Sequence, residues 1–221
     1  MIYLKKFETQ AAYNAAESSL ILPNVSLITE NNKVAYKPLS PTPPTPSHDY
    51  VEIGGIKWAT MNVGANSVTD YGNYYMYGKG ADDYSITSGD SEYEGDENPL
   101  AASADTAVQV WGGNWRTPTE DDFNSLIANT NFQFVEDYNS SGINGGLFTD
   151  KTDNSKYIFL PASSYISFGE IDSLGWNGYY HSSTAYNSLE SCYLTFDSGG
   201  ANVSNDYRSN YGYSVRPILD E

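Results

Sequence analysis

The chain has 221 residues, 39% of them hydrophobic, and a formal net charge of −17 at neutral pH. This acidic composition argues against nucleic-acid binding, which needs clustered lysine and arginine. The single cysteine, Cys192, excludes an internal disulfide framework and a cysteine-rich metal site. The 20 tyrosines and 19 glycines predict a loop-rich globular fold whose core uses aromatic side chains.

The N-terminal segment, residues 1–37, predicts a small separate module. Thr9 is placed to cap a short helix over "QAAYNAAESSL", and "NVSLITENNKVAYK" predicts a hairpin that turns at Asn31-Asn32. So small a piece is either a flexible arm or a docking module that orders against a partner or its own copies. Its regular apolar patterning favours docking, because disordered segments lack such patterning.

Two features of the first 49 residues bear on location and organisation. Lysines near the start are not followed by an apolar run, and no stretch approaches the roughly 18 apolar residues of a membrane span. We therefore expect the chain to stay in the cytosol or to leave by assembly into a virion, unless a leader has been removed. Five prolines between Pro38 and Ser47 predict a semi-rigid linker over residues 38–49.

Residues 50–221 predict a single domain without internal repeats. Two short strands flank Gly54-Gly55, and a long irregular segment rich in glycine, tyrosine and acids follows. A short helix ends at Gly112-Gly113, and a second helix begins after Thr119, its N-cap. The apolar stripe of the second helix consists of Phe123, Leu126 and Ile127. Later strands are predicted at "FQFVED", "GLFTDK", "KYIFLPAS", "SCYLTFD" and "YSVRPIL".

Four pieces in this order carry a family resemblance: "IGGIKWATMNVG", "WGGNWRTPTEDDFNSL", "KYIFLPAS" and "YGYSVRPI". With them, residues 50–219 resemble the Fibrobacter succinogenes major paralogous domain. That group looks like a branch of the C-type lectin fold related to formylglycine-generating enzymes. The resemblance implies an α+β, C-type lectin-like domain with short antiparallel sheets, two helices and many loops. "GYYHSST" resembles the family's "G-x-Y-W-S-S-T", with His181 where tryptophan is usual.

Large aromatic and basic side chains lie in these motifs. We expect Trp58, Trp111 and Trp115 to be buried and to organise a core that is short of aliphatic residues. Arg116 and Arg216 are two of only three arginines. For each we favour a structural ion pair that ties loops to the core over a role in ligand binding.

Enzymatic activity is not expected. The formylglycine-generating reaction of the fold relatives depends on cysteines that activate oxygen at a metal, and Cys192 alone cannot form that site. His48 lies in the linker and His181 stands alone in a polar stretch. No hydrolase, metalloprotease or phosphate-binding motif is present. We expect no cofactor. Weak calcium candidates with hard oxygen ligands are Asp82, Asp83, Asp90 and Glu92.

The C-terminal region has the composition of a recognition surface. Of the 37 residues from Asn177 to Tyr213, 19 are tyrosine, serine or asparagine. Tyrosine offers a large contact area at little entropic cost, and serine and asparagine offer adaptable hydrogen bonds. The alternative interpretation is a tyrosine-rich edge strand with polar turns.

This region also resembles the variable proteins of diversity-generating retroelements, which randomise adenines in AAC or AAT codons. Such codons cannot reach Lys, Gln, Glu, Met or Trp. These five types make up 30 of the 221 residues, so about five would be expected in the region by composition alone, and only Glu190 occurs. Cys192, interpreted as an exposed cysteine, and His181 fit the same pattern.

The sequence therefore predicts a non-enzymatic, diversified ligand-binding protein, such as a phage tail-tip protein that binds a bacterial surface receptor, either a protein or a glycan. Residues 1–37 would anchor it to the virion or to another partner, and we expect a homo-oligomer, a trimer by analogy with tail fibres. Within the last strand, Tyr211 and Tyr213 should share one face, Gly212 should allow close approach by a partner, and Val215, Pro217 and Leu219 should face inward. The predicted binding residues are Tyr179, His181, Tyr186, Asn187, Ser191, Tyr193, Asp197, Asn205, Asp206, Tyr207, Asn210, Tyr211 and Tyr213. The alternative is an invariant bacterial surface adhesin or carbohydrate-binding domain.

Overall fold

The computed structural model describes residues 25–30, 33–38, 48–81, 97–207 and 211–221. The chain divides into two compact units, residues 1–44 and 45–221. In the first unit, strands β1 (Val25–Glu30) and β2 (Lys33–Pro38) form an antiparallel hairpin in which Glu30 pairs with Lys33. This confirms the hairpin that turns at Asn31-Asn32. The predicted helix before it lies outside the described residues, and an anchoring role for residues 1–37 stays a prediction.

The second unit consists mostly of short antiparallel sheets. Its described part contains two α-helices, so the coarse α+β class is confirmed. The helices are α1 (Thr106–Trp111) and α2 (Glu120–Asn129). The first seven strands are β3 (Tyr50–Ile53), β4 (Ile56–Ala59), β5 (Tyr75–Met76), β6 (Trp115–Arg116), β7 (Thr130–Val135), β8 (Gly145–Asp150) and β9 (Tyr157–Pro161). The remaining strands are β10 (Tyr165–Ser167), β11 (Glu170–Asp172), β12 (Gly178–Ala185), β13 (Glu190–Asp197), β14 (Gly200–Tyr207), β15 (Gly212–Tyr213) and β16 (Ile218–Leu219).

The described residues of this unit form four sheets, in the orders β3-β4-β16-β6, β7-β8-β9, β12-β13-β14 and β11-β10-β15-β5. The first sheet joins distant parts of the chain, since Ile218 of β16 pairs with both Trp58 of β4 and Arg116 of β6. The last two sheets carry most of the predicted binding residues. A parallel bridge between Tyr180 and Ser214 connects them.

Helix α2 begins after Thr119, as the sequence predicts. The Thr119 side chain accepts the Asp122 backbone N–H, and the Asp122 carboxylate accepts the Thr119 N–H, which forms a capping box. Asp105 caps α1 and also accepts hydrogen bonds from the backbone N–H and hydroxyl of Thr117. One buried carboxylate therefore ties the start of α1 to the segment that leads into α2.

The main core lies between α2 and the sheets. Its aromatic residues include Trp58, Phe123, Phe148, Tyr180 and Phe196. Trp58, Trp111 and Trp115 are all buried, as predicted from their size. His48 was assigned to the linker, but it belongs to the second unit, where its ring stacks on Trp111 with 3.5 Å between centroids.

The two framework arginines differ in their partners. Arg116 forms the predicted ion pairs, with Asp122 at 2.7 Å and Asp220 at 2.9 Å. Arg216 is fully buried, and among the described residues no carboxylate pairs with it. Its guanidinium donates to Asn62 Oδ1 and to two backbone carbonyls, those of Ala59 and Phe159. The ion-pair prediction was therefore wrong for Arg216, because neutral acceptors satisfy its donors.

Candidate ligand-binding face

The three-stranded sheet β12-β13-β14 has two chemically different faces. Its register aligns Tyr180 with Leu194 and Val203, and Gly178 with Phe196 and Ala201. These side chains pack in the main core, and Tyr180 is fully buried with its hydroxyl donating to the Pro161 carbonyl. Gly178 is needed here, because a Cβ would stand 2.1 Å from the Phe196 ring. We call this the core face.

The opposite face, which we call the outward face, carries the residues of the other parity. Tyr179 aligns with Thr195 and Asn202, and His181 aligns with Tyr193 and Ser204. Further along, Ser191 aligns with Asp206, and Asp197 aligns with Gly200 at the turn. The polar and aromatic residues predicted to bind thus alternate with residues of the core face, since side chains of a strand alternate between its sides. At the β13–β14 turn lies a shallow hollow of about 430 Å³, lined by residues 195–197 and 199–202.

Aromatic rings from four segments meet beside this face. We define the tyrosine cluster as Tyr165, Tyr179, Tyr193, Tyr211 and Tyr213. Tyr165 of β10 makes edge-to-face contacts with Tyr179 and Tyr211, each at a centroid distance of 5.1 Å. Tyr213 lies 5.0 Å from Tyr193 and 5.5 Å from Tyr179. Such geometry is favourable between aromatic rings, so the cluster is a packed unit.

The cluster has a buried layer and an outer layer. Tyr213 and Tyr193 are 4% and 8% exposed, whereas Tyr165, Tyr179 and Tyr211 are partly exposed. Tyr211 and Tyr213 share a face, as predicted, and their rings are stacked at 6.0 Å. The outer layer therefore exposes aromatic surface to solvent, and the buried layer packs beneath it.

His181 packs against Tyr213 of the buried layer and is itself 4% exposed. Its Nε2 lies 2.7 Å from the Tyr75 carbonyl oxygen, which requires a proton on Nε2, and its ring lies 4.7 Å from that of Tyr213. Burial lowers the pKa of His181 to about 4, opposed by the bond to Tyr75. The imidazole is consequently neutral at physiological pH. No described residue is a partner for its buried Nδ1.

Three carboxylates lie around the tyrosine cluster. The Tyr165 hydroxyl donates to Asp172 Oδ2 at 3.0 Å, and this bond, together with burial, raises the pKa of Tyr165 to about 12. Burial raises the pKa of Tyr179, and the charges of Asp197, Asp172 and Asp206 raise it further. The hydroxyls therefore stay protonated and act as neutral donors or acceptors in a region of negative potential.

The β12–β13 turn holds two predicted residues apart from the cluster. Tyr186 is 60% exposed, and Asn187 is also exposed. The Asn187 Oδ1 accepts the backbone N–H groups of Leu189 and Glu190, so this side chain shapes the turn. Asn205 has the parity of the core face and donates to Glu190 Oε2. These residues are not brought together with the outward face.

Several predicted exposures were wrong. Cys192 was taken as exposed, but it lies on the core face, 2% exposed, near Glu120, and burial raises its pKa to about 12. Its identity therefore has a packing explanation. Ser191, at 3% exposed, joins His181, Tyr193 and Tyr213 as a predicted binding residue with little surface to offer. These four support the surface rather than form it.

The C-terminal segment, residues 212–219, is buried more completely than the predicted alternation of inward and outward side chains would give. Gly212 lies between β10 and β5, where it pairs with Ile166 and Met76, so its close neighbours are strands of the same chain. Val215 and Pro217 are buried as predicted and Leu219 is partly buried, but Ser214 and Arg216 are buried too. Both sides of this segment therefore face protein.

Tyr165 was missed by the sequence reasoning. It lies 12 residues before Asn177, outside the region that composition singled out, and no neighbouring signal marks it. Of the other predicted residues, the side chain of Tyr207 and all of Asn210 lie outside the described residues. So do Asp82, Asp83, Asp90 and Glu92, the calcium candidates. In the part that is described, no group of three or more His, Cys, Asp or Glu residues could hold a metal ion.

Comparison with known proteins gives one match. Residues 146–218 match a family described as a domain of unknown function (DUF8237). The matched range contains the whole tyrosine cluster and the outward face. No curated protein and no solved structure matches the chain. Among the helices that the structure describes, none is long and apolar enough to cross a membrane.

Proposed function

We propose that this chain is a non-enzymatic ligand-binding protein that contacts its ligand through the outward face and the outer layer of the tyrosine cluster. The observation that carries the proposal is the division of the β12-β13-β14 sheet. Adaptable polar and aromatic side chains occupy one face, and the residues of the other face pack in the core. Partly exposed tyrosines held by buried ones provide large contact area with little conformational freedom left to lose.

The proposal includes diversification by a retroelement. Glu190 is the one residue between Asn177 and Tyr213 that adenine randomisation of AAC or AAT codons cannot reach. On β13 it has the parity of Cys192 and Leu194, and hence of the core face, and its carboxylate accepts from Asn187 and Asn205. Glu190 therefore lies away from the outward face. The outward face is where diversified residues must lie to contact a ligand.

We further propose that the second unit has a C-type lectin-like fold of the Fibrobacter succinogenes major paralogous type. Three of the motifs that carry this resemblance meet in the β3-β4-β16-β6 sheet, through Trp58, Arg116 and Ile218. This arrangement explains why residues so distant in sequence would form one recurring set. The proposed ligand binding does not require a cofactor.

The biological setting we propose is a phage tail tip that recognises a bacterial surface receptor, anchored through residues 1–37 and displayed as a homo-oligomer. Several copies would add avidity to a weak variable site. The alternative is an invariant bacterial surface adhesin. Sequencing of the flanking DNA separates the two. Diversification requires a near-copy of the last coding segment, differing mainly at adenines, beside a reverse transcriptase gene, and absence of both leaves the adhesin.

The binding face can be tested without knowledge of the ligand. One display library randomises Tyr179, Asp197, Asn202, Asp206 and Tyr211, and a control library of equal size randomises exposed positions of α2. Selected against the same panel of proteins, the face library should yield more specific binders and keep the folded fraction of the starting chain. Equal yields from both libraries, or general unfolding of the face library, would contradict the proposal.

A further inference from the structure

We propose that the ligand presents a cationic side chain, arginine or lysine of a protein surface, to the outer layer of the tyrosine cluster. This rests on the proposed function and adds the chemical class of the ligand. The partner is thus a protein with a basic patch. A neutral glycan is the competing ligand, and the experiment below includes it.

The first observation is the geometry of the rings. Tyr165 and Tyr211 meet edge to face at 5.1 Å, and Tyr165 meets Tyr179 in the same way. In edge-to-face contacts the rings point in different directions, and Tyr165, Tyr179 and Tyr211 are each partly exposed. The negative faces of such rings attract ammonium and guanidinium groups, and arginine most often.

The second observation is the charge around the rings. Asp172 and Asp197 are exposed and Asp206 is partly exposed, and all three carboxylates act on the Tyr179 hydroxyl. Asp172 receives the Tyr165 hydroxyl on Oδ2, and Asp197 receives the Gly199 N–H on Oδ1. A carboxylate has about four acceptor positions, so each of these two retains capacity for a further donor.

The third observation is the scarcity of positive charge in the same region. Between Lys156 and Arg216 the chain contains five acids and a single basic residue, Arg208, which lies outside the described residues. The described residues of this stretch include no Lys or Arg, so a cation that approaches them meets carboxylates and aromatic rings together. An anionic ligand would be repelled, and a neutral one would gain nothing from the carboxylates beyond hydrogen bonds.

The experiment uses the full chain with ¹³C-labelled tyrosine rings and three probes followed by NMR. The probes are N-acetyl-L-arginine amide, its uncharged near-isostere N-acetyl-L-citrulline amide, and methyl β-D-galactopyranoside. We expect the arginine probe to shift the Tyr165, Tyr179 and Tyr211 resonances and to bind about fivefold more tightly than the citrulline probe. The preference should shrink in 0.5 M salt, because exposed charges are screened.

Matched variants separate the site from the general acidity of the chain. Asp172→Asn and Asp206→Asn should each weaken the arginine probe, by roughly two- to threefold. Asp121→Asn removes the same charge at an exposed position of α2 and should leave binding unchanged. Equal effects of all three would show a non-specific attraction and overturn the inference.

The remaining outcomes distinguish the inference from the function on which it rests. If the arginine and citrulline probes shift the cluster equally, the face binds ligands but not through charge. If only the galactoside shifts it, the ligand is of the glycan class. Either result overturns the cationic ligand and leaves the binding face standing. If no probe moves the three tyrosines, the cationic ligand is again overturned, and the library comparison decides the function separately.

Discussion

Replacement of Tyr213 by alanine should unfold the domain more readily, although Tyr213 lies in the segment predicted to bind ligand. Its side chain is 4% exposed, and its ring contacts those of His181, Tyr179, Tyr193 and Tyr211. Removal of a buried aromatic ring from such a site leaves a cavity and costs about 3–5 kcal/mol of unfolding free energy. The cost reflects lost contacts and burial rather than any lost ligand.

The expected fall in melting temperature follows from this cost. For a domain of this size each kcal/mol corresponds to roughly 2–4 °C, so the melting temperature of Tyr213→Ala should lie about 6–20 °C below that of the starting chain. Circular dichroism gives the melting temperature, and a urea titration gives the free energy. Tyr213→Ala, the control variant Tyr211→Ala and the parent should be compared at one protein concentration, because the melting temperature of an oligomer depends on concentration.

Tyr211→Ala is the matched control. Tyr211 is partly exposed and two residues away on the same side of the strand, so its loss should cost about 1 kcal/mol. If Tyr213→Ala melts within about 2 °C of the parent, or if both variants are equally destabilised, the division into a buried and an outer layer is wrong. A variant that replaces Tyr213 together with exposed tyrosines would lose stability and ligand binding at once, so it could not separate the two effects.

Three further predictions concern buried polar groups. The unfolded state takes up a proton on His181 near pH 6.5, whereas the native state does so only near pH 4. The contribution of neutral His181 to the free energy of unfolding is therefore complete above pH 6.5 and is lost as the pH falls towards 4. Denaturant titrations at pH 8 and pH 5 should show the stability difference between parent and His181→Gln shrink by about 2 kcal/mol, and an unchanged difference would contradict the low pKa. Arg216→Met should lower the unfolding free energy by about 3 kcal/mol or more, because three buried acceptors lose their donor and each unsatisfied one costs about 1–3 kcal/mol; a loss under 1 kcal/mol in urea would contradict this. Asp105→Ala should lower the unfolding free energy by about 3 kcal/mol, because the N–H groups at the start of α1 and the Thr117 donors lose their acceptor. Asp105→Asn keeps one acceptor oxygen, so calorimetry should show a smaller loss.

Local signals in the sequence predicted local structure well. Thr119 followed by three acids and an apolar stripe specifies a helix start within one turn, and the structure has its capping box there. The hairpins at Asn31-Asn32 and Gly54-Gly55 were predicted from turn residues between apolar runs, and both strand pairs are present. In each case the decisive interactions join residues close in sequence.

Pairings between distant segments were not predictable from such signals. The segments of β12 and β14 are too polar to suggest strands, yet both form because β13 lies between them. Their composition indicated a surface, but not which residues of it are buried. The burial of His181 depends on Tyr75, which is 106 residues away, and the place of Tyr165 depends on β15. No local pattern carries that information.

The two faces of the β12-β13-β14 sheet have a consequence for how this protein can change over time. Tyr179 and Tyr180 are adjacent and chemically identical, and only their parity makes one a surface residue and the other part of the core. A substitution on the outward face leaves that parity intact, whereas insertion of one residue exchanges the two faces of everything after it in the strand. Related chains should therefore differ in sequence at exposed or partly exposed positions of the outward face, such as Tyr179 and Asp197, while keeping the core-face residues and the same number of residues in each strand.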